Sequence, residues 1–153
     1  MRKIKVKNRN ELNKIVENLM LENNLQANLN HLDVSAIEDM SEMFAWSDFN
    51  GDISEWDVSN VNNMNQMFIN SLFDGDLSKW DVSNVISMSG IFEKCPVSKS
   101  NKKGGVCSWV LSSKVNEEIK SNQKYLGFDF KHCIKQQRYK QLGSFQDLMR
   151  FDD

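Results

Sequence analysis

Apolar residues recur along this chain at a fixed interval. Between Asp57 and Trp80 they fall at Val58, Val61, Met64, Met67 and Phe68, then at Phe73, Leu77 and Trp80. The close spacing of the first five predicts a short helix or helical turn, with Ser59 or Asn60 as its N-cap. The second half, FDGDLSKWDV, alternates more nearly at Trp80 and Val82 and predicts a short strand.

The same pattern occurs three times. DVSAIEDMSEMF starts at Asp33, DVSNVNNMNQMF at Asp57 and DVSNVISMSGIF at Asp81, 24 residues apart each time and without a gap. The linking halves FNGDISEW (Phe49 to Trp56) and FDGDLSKW (Phe73 to Trp80) align too, and LQANLNHL (Leu25 to Leu32) keeps the register without the Gly and Trp. Half a unit earlier, Val16, Leu19 and Met20 stand where later units have Met64, Met67 and Phe68. Neither half of a unit can bury its apolar face alone, so successive units are expected to stack and share one core. The expected fold class is α/β, a short solenoid of 24-residue strand-plus-helical-turn repeats with an N-terminal helical cap and a non-repeat C-terminal segment.

The stretch FNGDISEWDVSNVNNMNQMF resembles the BspA-like leucine-rich-repeat family, whose units read much like FNQDLSSWDVSNVTNMSSMF and occur in bacterial surface and lipoprotein-type proteins. The resemblance covers about residues 25–95. It implies an open repeat scaffold used for binding, with no catalytic residues to carry over. This chain differs from surface-type members in having about three full units and no export signal in the sequence as given.

The flanks divide the chain further. RKIKVK puts Ile4 and Val6 on one side of an edge strand, Asn8 with Glu11 reads as a capping box, and Leu12, Ile15, Val16 and Leu19 form the stripe of a capping helix. The repeat stops after Cys95 and Pro96, and SKSNKKGGV reads as a basic loop. The rest holds the apolar run CSWVL, a helix expected over about 114–125, a break at Gly127, the basic stretch FKHCIKQQRYKQL, and a final helical turn suggested by Ser144 and Asp147. The expected organisation is a cap over 1–24, repeats over 25–96, a loop over 97–105 and a basic segment over 106–153. That last segment either caps the second end or forms a working surface.

Composition adds bounds. A chain of 153 residues suits one domain and can bury roughly 70% of its unfolded surface. Its apolar runs fall far short of the roughly 20 residues that span a bilayer, so no membrane partner is expected. The basic N-terminus lacks an apolar stretch behind it, and three cysteines, Cys95, Cys107 and Cys133, suit reduced thiols. A cytoplasmic location is expected, the host-cell cytoplasm if the protein is phage-encoded.

Charge is segregated. The net charge is −2, but residues 1–32 carry +3, residues 33–81 carry −10 and residues 94–140 carry +8. Asp33, Asp57 and Asp81 should form one ladder, and Asp52 and Asp76 another, capping turns through backbone amides. Glu38, Asp39, Glu42, Asp48 and Glu55 are the candidates for a partner-binding acidic surface. Lys99, Lys102, Lys103, Lys131, Lys135, Arg138 and Lys140, interleaved with Phe128, Phe130 and Tyr139, are the candidates for a basic surface that meets a partner or RNA. The two blocks pairing with each other is the open alternative.

No catalytic machinery is legible. His31 falls in a solvent-facing slot equivalent to Glu55 and Lys79 and has no positioned partner. Cys95, Cys107, His132 and Cys133 lack paired C-x2-C spacing, and the run from Asp48 through Asn50 and Asp52 lacks the glycine and glutamate positions of a calcium loop. The Asn50-Gly51 and Asp74-Gly75 pairs read as turn signals with φ > 0 available. No nucleotide-binding, hydrolase or metalloprotease motif is present. No catalytic residue, metal or cofactor is expected. The expected function is a non-enzymatic repeat scaffold that binds a protein or a protein–nucleic-acid complex. One alternative is a phage or mobile-element inhibitor of anti-CRISPR type that masks the nucleic-acid-binding surface of a defence nuclease or ribonucleoprotein; a second is a surface adhesin module.

Overall fold

The protein is described by a computed structural model over residues 2–99, 106–122 and 124–127, leaving aside the side chains of Ser98, Lys99 and Cys107. Strand β1 (Ile4–Lys5) is followed by helix α1 (Arg9–Leu21) and strand β2 (Leu32–Asp33). Helix α2 (Ser113–Ser121) comes after two 3-10 turns, Pro96–Lys99 and Val106–Ser108. β1 and β2 pair in parallel, with Ile4 beside Leu32 and Lys5 beside Asp33. Val6 is buried but Ile4 is 61% exposed, so the two do not share a side as the sequence suggested.

Helix α1 starts and stops where its polar residues dictate. Asn8 accepts from the Glu11 amide at 3.0 Å, and Glu11 Oε2 accepts from the Lys7 amide at 2.7 Å, one residue earlier than a standard capping box reaches. At the other end Asn23 takes φ 53°, the Asn24 amide bonds the Leu19 carbonyl at 2.9 Å and the Asn23 amide bonds Met20 at 3.1 Å. That is a Schellman ending with asparagine in the left-handed position. Leu12 and Val16 of the predicted stripe are buried, and Ile15 and Leu19 pack partly against the core.

The 24-residue units are built otherwise than expected. Among the described residues, regular structure amounts to two short α-helices, two 3-10 turns and one open two-stranded parallel sheet. The α/β solenoid of strand-plus-helical-turn repeats is therefore corrected to a small mixed arrangement. The helical turn fails because Glu42, Gln66 and Gly90, and four residues later Trp46, Asn70 and Lys94, all have φ between 50° and 61°. A left-handed residue cannot continue a right-handed helix. The spacing of three reflects successive tight turns, such as Met43 N–H to Met40 O at 3.3 Å and Ala45 N–H to Glu42 O at 3.0 Å. The strand half fails likewise, since Trp56 N–H turns back to Ile53 O at 3.2 Å and Trp80 N–H to Leu77 O at 3.1 Å.

Equivalent positions of these turn-built units nevertheless touch. The amides of Met40, Glu42 and Phe44 donate to the carbonyls of Asn63, Asn65 and Met67, each at 2.9 Å. Asp39, Asn63 and Ser87 form isolated parallel bridges. Inside, Phe44, Phe68 and Phe92 stack at 5.6 and 5.8 Å, nearly parallel, and Phe49 and Phe73 lean on the first two at 4.7 and 4.5 Å. The indole N–H of Trp56 bonds the Leu29 carbonyl at 2.9 Å and that of Trp80 bonds Ile53 at 3.1 Å, so each ring ties its unit to the one before.

Gly51 and Gly75 do not adopt positive φ, which corrects their reading as left-handed turn signals. They are needed for close approach. A Cβ at Gly75 would sit 2.4 Å from the Phe73 ring, and one at Gly51 would sit 2.1 Å from the Ala27 carbonyl oxygen.

The described part of the C-terminal segment packs on the last unit. Trp109 donates its indole N–H to Leu77 O at 2.9 Å and tilts against Phe92 at 5.8 Å and 39°, much as Trp80 tilts against Phe68 at 6.3 Å and 36°. The Gly90 and Phe92 amides donate to Tyr125 and Leu126 carbonyls at 2.7 and 3.0 Å. Helix α2 is shorter than expected and ends at Ser121, after which Tyr125 N–H bonds Asn122 O in a turn.

Candidate interaction surface

The aspartates of the repeat words serve the backbone. Asp33, Asp57 and Asp81 each accept from the amide and hydroxyl of the serine two residues on, at 3.0–3.1 Å and 2.6 Å. Asp52 and Asp76 accept the Ser54 and Ser78 amides at 3.0 and 2.9 Å. These are the Asx turns that short carboxylates make, and they replace the serine N-cap expected there. The serine hydroxyl bond holds the carboxyls of Asp33 and Asp81 below their ordinary values, and the Ser54 amide does the same for Asp52.

Of the five acidic candidates, two are paired within the chain. Asp39 meets Arg9 of α1 at 2.5 Å and accepts the Ser41 amide at 2.8 Å, while Arg9 also bonds the Ser41 hydroxyl at 2.9 Å and its carbonyl. Burial pushes the Asp39 carboxyl up, but Ser41 and Arg9 together outweigh it and hold it low. This pair fastens the first turn of α1 to the first unit. Glu55 pairs with Lys79, its equivalent one unit on, at 2.5 Å, and the Lys79 hydrogen bond lowers its carboxyl below the usual value. Glu38, Glu42 and Asp48 are exposed, and their carboxylates make no hydrogen bond or ion pair among the described residues. Glu42 borders a shallow cleft with Arg9, Asn13 and Glu17 of α1. Glu38, Asp39 and Glu42 thus share one run of turns in the first unit, whereas Glu55 sits apart beside Lys79 and Lys3. Among the basic candidates, Lys102, Lys103, Lys131, Lys135, Arg138 and Lys140 lie outside the described residues, as does the side chain of Lys99.

Sequence reasoning passed over two exposed apolar residues. Trp46 is 75% exposed and Leu72 is 57% exposed. The Trp46 amide bonds the Ile69 carbonyl at 2.9 Å and the Leu72 amide bonds the Ser47 carbonyl at 3.0 Å, so the backbone at Trp46 and Ser47 runs beside that of Ile69 and Leu72. The 24-residue alignment itself contains the signal, since Trp46 stands where the other units have Asn70 and Lys94, and Leu72 where the first has Asp48.

Of the groups weighed for chemistry, His31 and Cys95 bond the backbone, while His132, Cys133 and the side chain of Cys107 lie outside the described residues. His31 Nδ1 lies 3.1 Å from the Asn28 carbonyl in an exposed position. The buried Cys95 thiol donates to Phe73 O at 3.1 Å, and burial pushes its pKa up, away from the reactive thiolate. Among the described residues no group of three His, Cys, Asp or Glu is placed to hold a metal ion. No helix among them is long and apolar enough to cross a membrane.

A family model described as "Mycoplasma protein of unknown function, DUF285" matches residues 10–126, well over half of the chain. The chain belongs to the DUF285 family. The match is consistent with the BspA-like resemblance of the repeat word and brings no assigned activity with it. It runs from α1 through the three repeat words to Leu126, so the DUF285 unit includes the segment around Trp109 that caps the last repeat. No curated protein and no solved structure matches the chain.

Proposed function

We propose that this DUF285 chain is a non-enzymatic scaffold that binds another macromolecule, a protein or a protein–nucleic-acid complex, through the acidic face of its first units. The observation that carries this reading is the unequal use of the acidic residues. Asp39 and Glu55 are consumed by Arg9 and Lys79, and the laddered aspartates by turns, while Glu38, Glu42 and Asp48 remain solvated without an internal partner. Unpaired charge of one sign in a segment of net −10 attracts a cationic surface and sets the orientation of encounter.

Charge reversal tests the reading. Capture of partners from lysate by the wild-type chain is compared with capture by the triple variant Glu38→Lys, Glu42→Lys, Asp48→Lys, with and without nuclease treatment. Loss of capture with an unchanged far-UV spectrum and melting temperature supports an acidic docking face, and its survival under nuclease assigns the contact to protein. Undiminished capture removes the proposal. A nuclease inhibitor is the narrowest form of this reading, identified by blocked cleavage in a captured nuclease. The BspA-like form of the repeat word supports a second reading, a surface-adhesion module, tested by charge-sensitive binding to immobilised host extracellular-matrix proteins.

A further inference from the structure

We infer that Trp46, with Ile69 and Leu72 beside it, is the anchor on which this DUF285 chain seats a cationic segment of a partner protein, an arginine or lysine of that segment lying over the indole. The inference deepens the reading above and rests on it: the acidic face supplies attraction, and the apolar group supplies the point of grip.

Three observations converge on Trp46. Its ring is exposed, although the other three tryptophans of the chain are buried at 2–3% exposure and fill the core. Its backbone has φ 57°, a conformation costly for a bulky residue and tolerated by the Asn70 that stands in the same slot of the next unit at φ 50°. The fold thus has no need of tryptophan at this position, and holds it there against local preference. Strain of this kind at an exposed aromatic is the mark of a residue kept for contact. Leu72 repeats the signature, an exposed apolar side chain where the preceding unit has Asp48.

The chemistry of the occupant follows from the nearby charges. Glu42 and Asp48 flank Trp46 along the chain, and Glu93 lies one unit beyond Ile69, where its carbonyl accepts the Asn70 amide at 2.9 Å. All three carboxylates are on exposed residues. An exposed indole with Glu42 four residues before it and Asp48 two residues after it, in a segment of net −10, disfavours an acidic or phosphate-bearing ligand. It favours a guanidinium or ammonium, which the indole face attracts and the carboxylates neutralise.

The test uses the full chain and a synthetic peptide alternating arginine and leucine, with glutamate in place of arginine as the control. Because Trp56, Trp80 and Trp109 are buried, acrylamide quenching of tryptophan fluorescence reads Trp46. The cationic peptide is expected to shield Trp46 from quencher and the acidic peptide to leave it exposed. By calorimetry, Trp46→Asn is expected to weaken the cationic peptide by about tenfold or more, as loss of an aromatic hot spot does. Its melting temperature should stay the same or rise, and Leu72→Asp should weaken binding in the same direction. Binding unchanged in Trp46→Asn, no binding to wild type, or a melting temperature that falls as for a core tryptophan overturns the anchor. Trp46 already shielded in the free monomer, or shielded only as chain concentration rises, would put the chain's own residues or a second copy on the patch and overturn it too. If Glu42→Lys with Asp48→Lys abolishes binding while Trp46→Asn does not, the acidic face stands and only the anchor falls.

Discussion

Trp109→Ala probes whether the C-terminal segment completes the fold or merely follows it. Trp109 is 2% exposed, donates its indole N–H to Leu77 O at 2.9 Å and tilts against Phe92 at 5.8 Å. A tryptophan buries about 150–250 Å². At about 25 cal/mol per Å² that is an upper figure of about 4–6 kcal/mol. Large-to-small truncation of such a residue costs about 3–5 kcal/mol. Trp109→Phe keeps most of the ring area and removes the N–H, while the Leu77 carbonyl still accepts the Trp80 amide at 3.1 Å, so the loss is that of one hydrogen bond, about 0.5–1.5 kcal/mol. Trp80 supplies the internal control, since its indole makes the same bond to Ile53 at 3.1 Å. Urea unfolding followed by far-UV circular dichroism should show matched losses for Trp109→Phe and Trp80→Phe, with Trp109→Ala lowering the midpoint further at unchanged slope. A Trp109→Ala variant within about 0.5 kcal/mol of wild type, as at an ordinary surface site, would refute the claim that this ring completes the core. A shallower slope would instead mean that residues 106–127 unfold as a separate unit.

Two further outcomes are expected. Gly75→Ala should destabilise by about 1–3 kcal/mol through overpacking, because the added Cβ meets the Phe73 ring at 2.4 Å; a neutral effect in chemical denaturation would show that the ring has room to move. Acid should destabilise the fold, because the folded state holds Asp33, Asp52 and Asp81 below their ordinary pKa. The unfolded chain then binds more protons, so stability present above the normal carboxylate range is lost as pH falls through the folded values. Melting temperatures recorded from about pH 7 to about pH 3 should fall, and Asp81→Asn, which keeps an Asx-turn acceptor but cannot titrate, should flatten the fall. A profile no flatter in that variant would remove Asp81 from the account.

The chain's local and periodic features are legible in its sequence. The 24-residue period places Val58, Val61, Met64, Met67 and Phe68 in the core, and all five are buried. Periodic burial repeats in sequence because equivalent residues of the three units enter the same core. Asn8 as the start of α1 and the aspartates as turn-capping acceptors are legible for a related reason, since each bonds a backbone group two or three residues away. The secondary structure inside the units is not. A spacing of three residues suits a helical turn and a run of tight turns alike, and the choice is made by left-handed backbone at Glu42, Gln66 and Gly90, where two of the three residues carry side chains that do not announce it.

What only the tertiary structure decided lies at long separation in the chain. Asp39 has the character of a partner-facing carboxylate until Arg9, 30 residues away, is placed at 2.5 Å from it. Gly75 has that of a turn residue until the Phe73 ring is found where its side chain would go. Trp109 falls outside the period because residues 97–105 shift it off register, yet its indole bonds Leu77 as the repeat tryptophans bond theirs. Sequence by itself determined which residues are apolar and how often they return; contacts between residues far apart in the chain decided which charges are paired, and the tertiary structure left Trp46 on the surface.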